Sequence, residues 1–338
     1  MPKHAKIEKS PNSGYYTDVL WCVVPLIGMS CYYYGMRPLC LLLAALATAY
    51  VCDCLLAPLH GAGYRPHEPS SECFAALTVL MMPATVTYSI VIATVVLTVL
   101  VKEAFGGEGH YPFHPAAVGV AAAGISWPQR VFYYPAPGTI LPLWGPTDVT
   151  LTAGMNAALH DGGLPSASTM NLLTGNVAAP LGTNAMLVIM ACALFLLCRG
   201  RLQLSTVVPF FVVALGLAWL FPQLNELPVF SAPWAFVRQR VYLEKYILLS
   251  GTMLFGGVFL LCEPVTQPVR PLSRVIYGIA LGVACYVFRS FSPYETGICY
   301  AMLIVGAFPE WLDLLGRRAE RNRFMRKEAQ RVARAKPE

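Results

Sequence analysis

Long apolar runs recur along this chain, separated by short breaks rich in glycine, proline or charge. That alternation constrains the fold more than any single motif. Over 338 residues the hydrophobic fraction is 56% and the charged fraction 12%, about half the charge of a soluble domain. The deficit lies in the repeated runs, so the sequence reads as an all-α integral membrane protein.

The runs cover Asp18–Tyr34, Leu39–Ala57, Cys73–Met82, Thr85–Val101, Ala116–Ile125, Asn184–Cys198, Thr206–Phe221, Tyr246–Cys262, Val275–Phe288 and Gly297–Leu315. Cys73–Met82, stopped by Pro83, and Ala116–Ile125 are too short to cross about 30 Å of hydrocarbon as helices. Short apolar pieces bounded by glycine and proline read as broken helices, whose irregular backbone is buried or lines a site. The count is about ten transmembrane segments, five in each half. The loops K-E-A-F-G-G-E-G-H-Y-P-F-H-P and C-E-P-V-T-Q-P-V-R-P stand at matching places in the halves. An odd number per half predicts two inverted five-segment repeats. The expected organisation is a first membrane repeat over 1–126, an extracytoplasmic loop region over 127–183, a second repeat over 184–315 and a basic tail over 316–338. Pro222–Lys245 reads as a polar loop.

The net charge is +6, and nine Lys or Arg against three Glu between Arg317 and Glu338 account for all of it. A basic segment beside a last span places that end in the cytoplasm, touching anionic lipid. Ten crossings put both termini there, and Arg199 and Arg201 mark the same side. Nucleic-acid binding is the weaker reading of so short a basic run. The eleven cysteines are scattered, with no pair of C-x-x-C units. They read as small buried hydrophobes and imply no metal site. No G-x-G-x-x-G dinucleotide motif is present. The aromatic residues Trp127, Phe132, Tyr133, Tyr134 and Trp144 suit a cap at the membrane interface or a flat-ring ligand. Asp53, Glu103, Glu263, Arg289 and Asp313 lie near span ends, where charges pair, snorkel or serve ion movement.

One stretch stands apart, His160–Asn184, H-D-G-G-L-P-S-A-S-T-M-N-L-L-T-G-N-V-A-A-P-L-G-T-N. It is almost uncharged and offers four hydroxyls before Gly175: Ser166, Ser168, Thr169 and Thr174. It reads either as a segment presented to a modifying enzyme or as a plain polar loop between helices.

Six motifs together resemble the RnfD/NqrB family, membrane subunits of the Rnf ion-translocating electron-transport complex and of the sodium-pumping NADH:quinone oxidoreductase. They are S-P-N-S near the start, K-E-A-F-G-G-E-G followed by F-H-P-A-A, G-N-V-A-A-P-L-G-T-N-A, C-E-P-V-T-Q-P, R-V-I-Y-G-I-A-L-G, and Y-E-T-G-I-C-Y-A-M-L-I-V-G-A-F-P-E-W-L-D. The shorter, RnfD-like form is the better match, because NqrB proteins generally carry a longer N-terminal extension.

In that family a threonine in an S-G-A-T-like motif carries FMN through a phosphoester, installed by an ApbE-type flavin transferase. The matching residues are Ser166, Ala167, Ser168 and Thr169, so the resemblance implies covalent FMN on Thr169. Ser168 and Thr174 remain alternatives, because alanine and serine replace the motif's glycine and alanine. The family's acidic residue corresponds to Asp161, two positions further upstream than the pattern places it, and the spacer to G-N-V-A-A-P-L-G is shorter. The family also implies a non-covalent flavin, riboflavin, for which the loop bearing Phe113 and His114 is the candidate region. His114 stands where the family has Asn. His110 and His114 are read as groups titrating near neutrality, or as caps of a broken helix.

The implied function is a redox subunit in a bacterial or archaeal inner membrane. It relays electrons between ferredoxin and NAD, coupled to Na⁺ or H⁺ translocation, with the ferredoxin and NADH sites on other subunits. The implied partners are a second covalent-FMN subunit, a cluster-bearing subunit, the transferase and lipid. Inverted repeats with broken helices equally suit a solute channel or secondary transporter, and a flavin-free assembly scaffold is the third reading.

Overall fold

A computed structural model describes residues 13–56, 69–107, 109–145, 147–165, 167–223, 232–249 and 252–308, with isolated positions between 311 and 325. Ser166, Asp313, most of the S-P-N-S motif and most of the basic tail therefore lie outside the described residues.

The first half contains α1 (Ser13–Tyr34), α2 (Arg37–Leu56), α3 (Ser70–Leu80), α4 (Tyr88–Ala104) and α5 (Pro115–Ser126). The helices α3 and α5 are the two short runs, of 11 and 12 residues. Ten of the eleven residues of α3 are buried, so it is apolar all round and forms the centre of its half, against α1, α2, α4 and α5. A one-turn helix, α6 (Pro128–Val131), leads into an antiparallel pair, β1 (Tyr133–Pro135) with β2 (Leu151–Ala153), in which Tyr134 faces Thr152. Two short helices follow, α7 (Met155–His160) and α8 (Thr169–Thr174). The region 127–183, read as loop, thus has its own small scaffold. Phe132 and Tyr134 are buried in it while Trp127 and Trp144 are exposed, so just part of the aromatic set is free to meet an interface.

The second half contains α9 (Met186–Cys198), α10 (Leu204–Leu220), α11 (Val237–Leu249), α12 (Thr252–Phe255) running into a π-helical turn at Gly256–Leu260, α13 (Pro271–Phe291) and α14 (Gly297–Gly306). Here α10 and α13 pack most extensively, α13 also packs on α14, and α14 meets α5 across the halves. Among the described residues α2 and α13 are long and apolar enough to cross a membrane, and α11 with the segment to Leu260 is a third candidate bent by 56°.

The loops sort onto two ends of the bundle. With 22 residues α1 is about 33 Å long. At its start Asp18 pairs with Arg199 and Arg201 at 2.9 Å each. At its far end the Tyr33 hydroxyl donates to the Thr174 carbonyl and the Leu141 N–H to the Tyr34 carbonyl, both at 3.1 Å. The basic turn and the hydroxyl-bearing segment therefore lie at opposite ends. Buried Arg37 ties the second end together, donating to the carbonyls of Ala84, Val86 and Pro142 at 3.1, 3.2 and 2.8 Å.

Candidate functional site

The hydroxyl segment is set by the chain on either side of it. Downstream, the strip Gly175–Asn184 threads across the break after α3. Gly182 N–H donates to the Leu80 carbonyl at 2.6 Å and Leu181 N–H to that of Met82 at 3.0 Å, satisfying carbonyls that a helix end leaves bare. A Cβ on Gly182 would lie 2.6 Å from Leu80 Cβ, so the close approach needs glycine. Gly175 closes α8 in the left-handed region, at φ 92°, with its N–H on the Asn171 carbonyl.

Three candidate hydroxyls are described, and each is used differently. Ser168 is the N-cap of α8 and accepts the Asn171 N–H at 3.2 Å. Thr174 donates back to the Met170 carbonyl at 2.8 Å. Thr169 is exposed, and its Oγ1 accepts a hydrogen bond from Lys245 Nζ at 3.2 Å. Among the three, the Thr169 hydroxyl is the one not committed to its own loop. Asp161 caps the end of α7, with its carboxylate 3.4 Å from His160 Nδ1.

Lys245 belongs to α11, and this corrects the sequence expectation. Residues 237–245, read as the end of a polar loop, are helical. Their R-Q-R and E-K charges keep hydropathy low, but a helical face of Tyr242, Lys245 and Tyr246 packs under the Thr169 segment. The ammonium stands over the Tyr242 and Tyr246 rings at 4.9 and 4.4 Å. Tyr246 donates its hydroxyl to the Ala167 carbonyl at 2.9 Å. Beneath lies a small core of Leu159, Leu172, Val177, Ala179, Leu243 and Tyr246. A narrow cleft of about 40 Å³ adjoins it, lined by Leu159, His160, Leu243, Tyr286 and Arg289 among others. The spacing Y-x-x-K-Y at i, i+3 and i+4 was the available sequence signal for this face.

At the other end the two loops expected at matching places meet. Glu263 is fully buried. Its Oε1 accepts the hydroxyls of Tyr16 and Tyr111 at 2.8 Å each, and its Oε2 accepts the N–H groups of Val265 and Thr266 at 3.1 and 2.8 Å. Gln267 donates to the Leu261 carbonyl. His114 occupies the N-cap position of α5, but its side chain makes no capping bond. Its ring nitrogens have no protein partner and its ring stands edge-on to Phe74 at 5.3 Å. Burial lowers its pKa to about 3. Both sequence expectations for His114 are thereby corrected: it neither titrates near neutrality nor caps through its side chain. Phe113 packs against Phe105, with ring centroids 6.3 Å apart.

Of the other charges near the span ends, Asp53 and Glu103 are paired with one lysine. Lys102 lies 3.8 Å from Asp53 and 3.3 Å from Glu103, and donates to Ser71, which in turn donates to Asp53. Near Arg289, Glu295 accepts the Asn156 N–H at 2.9 Å, and the Asn156 amide donates to the Arg289 and Ser292 carbonyls. The described cysteines are all free thiols.

Fold and site together define a helical membrane protein that displays a hydroxyl loop at one end and encloses a carboxylate knot at the other. A model of the NQR2, RnfD, RnfE family matches residues 4–320, and the chain belongs to that family. It is 26% identical over 333 residues to the RnfD subunit of the ion-translocating oxidoreductase complex of Cronobacter sakazakii, covering 87% of this chain and 90% of the relative. The same subunit of Shewanella amazonensis is 24% identical over 342 residues, covering 90% and 92%. A subunit of the Na(+)-translocating NADH-quinone reductase of Chlamydia felis is 31% identical over 163 residues, 48% of this chain and 32% of the relative.

Proposed function

We propose that this chain is the flavin-bearing membrane subunit of an Rnf-type ion-translocating oxidoreductase complex, with FMN esterified to Thr169. The observation that carries the reading is the state of the Thr169 hydroxyl, exposed and bonded to a lysine while Ser168 caps α8 and Thr174 bonds back to the Met170 carbonyl. A phosphoester needs a hydroxyl that enters a second enzyme's active site, and this one is exposed at the surface. The flanking Ala167 keeps the segment slim. The residues present thus fit the group.

Bound FMN would supply one- and two-electron transfer. The chain's own residues hold and place it. Tyr246 fixes the segment through the Ala167 carbonyl, and the Gly175–Asn184 strip fixes its downstream end. A tether keeps the cofactor at high local concentration on one face. We place that face on the extracytoplasmic side, with ten crossings in two inverted repeats and both termini in the cytoplasm. The pairing of Arg199 and Arg201 with Asp18, at the end opposite Thr169, supports that placement.

The names of the relatives support a multi-subunit, redox-driven ion pump. In this reading electrons pass between ferredoxin and NAD on other subunits, a second covalent-FMN subunit and a cluster-bearing subunit adjoin this one, and Na⁺ or H⁺ is the coupled ion. A non-covalent riboflavin near His114 fits less well. The imidazole is 2% exposed and packed on Phe74, so a flavin ring needs the loop to open.

The test is peptide mass spectrometry across Gly162–Pro180 after co-expression with an ApbE-type transferase. The expected result is an FMN adduct, less water, on Thr169, with fluorescence of the denatured band lost in Thr169→Val. A colourless wild-type band would sink the redox reading and shift the assignment to a channel or a flavin-free scaffold.

A further inference from the structure

We propose that Lys245 is the cation that receives the FMN phosphate at Thr169, and so acts as the positioning residue for attachment. The inference rests on the covalent-flavin reading above and concerns a residue outside the hydroxyl segment. Three observations carry it. Lys245 Nζ lies 3.2 Å from Thr169 Oγ1, the atom to be esterified. The ammonium is held over the faces of Tyr242 and Tyr246, which restricts a long, otherwise mobile side chain. Tyr246 then locks the segment itself, through the Ala167 carbonyl at 2.9 Å. Cation and hydroxyl are thus fixed to one helical face independently of any ligand.

The chemistry gives that cation a task. Threonine Oγ1 attacks the flavin-side phosphorus of a flavin dinucleotide held by the transferase. The new bond is Oγ1–P, the broken bond is the anhydride P–O, and the nucleoside monophosphate leaves. The hydroxyl proton passes to a base of the transferase, and no electrons change hands. The product phosphodiester carries one negative charge directly beside Oγ1. An ammonium already bonded to Oγ1 is within reach of that charge both as it approaches and after it is fixed. The bland alternative is a lysine that merely packs on two rings and touches a nearby hydroxyl.

The test uses full-length protein, produced without transferase and purified in detergent, as wild type, Lys245→Met and Lys245→Arg. Methionine keeps the apolar contact with the tyrosines and removes the charge; arginine keeps the charge. Each is incubated with purified transferase, flavin adenine dinucleotide and Mg²⁺, and flavin fluorescence of the denatured band is followed with time. Size-exclusion profiles confirm that the three fold alike. Loss of one charge-assisted hydrogen bond predicts an initial rate about tenfold lower for Lys245→Met, with Lys245→Arg within about threefold of wild type. Equal rates for wild type and Lys245→Met overturn the inference and leave the flavin reading intact. Lys245→Arg as slow as Lys245→Met also overturns it, because packing rather than charge then sets the rate. A wild type that takes up no flavin fails the underlying reading instead.

Discussion

The two ends of this bundle treat their polar groups in opposite ways. At one end Glu263 receives four hydrogen bonds from two tyrosines and two backbone N–H groups, all within the protein. At the other the Thr169 hydroxyl is exposed and holds a single bond, to a lysine. A buried carboxylate that is fully satisfied orders the chain around it, since losing one partner strands the rest. An exposed hydroxyl adds little to stability and stays open to chemistry. The contrast separates a knot whose bonds order the fold from a hydroxyl that, on the proposed reading, carries the function, and each half of that statement can be broken separately.

The largest effect is expected on flavin. Thr169→Val abolishes covalent flavin while apparent stability in detergent stays within about 0.5 kcal/mol of wild type, as for other exposed positions. A large loss of stability would mean that Thr169 is part of the framework. Glu263→Leu is the reverse case. It leaves the Tyr16 and Tyr111 hydroxyls and two N–H groups without their acceptor, and a loss of about 4 kcal/mol follows, read as a lower melting temperature in micelles. Unchanged melting would dissolve the contrast between the ends. Arg37→Met removes the bonds to the loop carbonyls of Ala84, Val86, Pro142 and Gly145 and is expected to cost about 3 kcal/mol by the same measure. Gly182→Ala drives a methyl into Leu80. The expected loss is about 2 kcal/mol, with local loosening of the strip beside Thr169 seen as faster hydrogen exchange at Leu181 and Gly182.

Much of the framework was legible because it depends on local chemistry. Pro83 stops α3, Pro115 opens α5, and the apolar runs give nearly all the long helices. The Rnf-like motifs pointed to the right family. The parts that escaped depend on partners far away in sequence. Tyr16 and Glu263 are 247 positions apart, and no spacing rule joins them. The start of α11 was hidden because its charged face made it resemble a loop. The choice among hydroxyls had a local signal that spacing to the flavin motif overshadowed. Serine before a short apolar turn and glycine after it is a helix-capping signature, and it marks Ser168 as already employed.

That signature sets up the smallest and most discriminating prediction. Ser168→Ala removes the bond from Asn171 N–H to Ser168 Oγ at 3.2 Å and is expected to cost about 1 kcal/mol, the usual worth of an N-cap. Helix α8 has six residues, so the loss is local and shows as faster exchange at the Asn171 and Leu172 amides. Covalent flavin persists, because the acceptor oxygen and its lysine are untouched. The opposite pattern, in which Ser168→Ala loses the flavin and Thr169→Val keeps it, would move the attachment to the serine. It would also require the cap to be released before modification, and α8 would then be expected to unwind at its first turn in the unmodified protein.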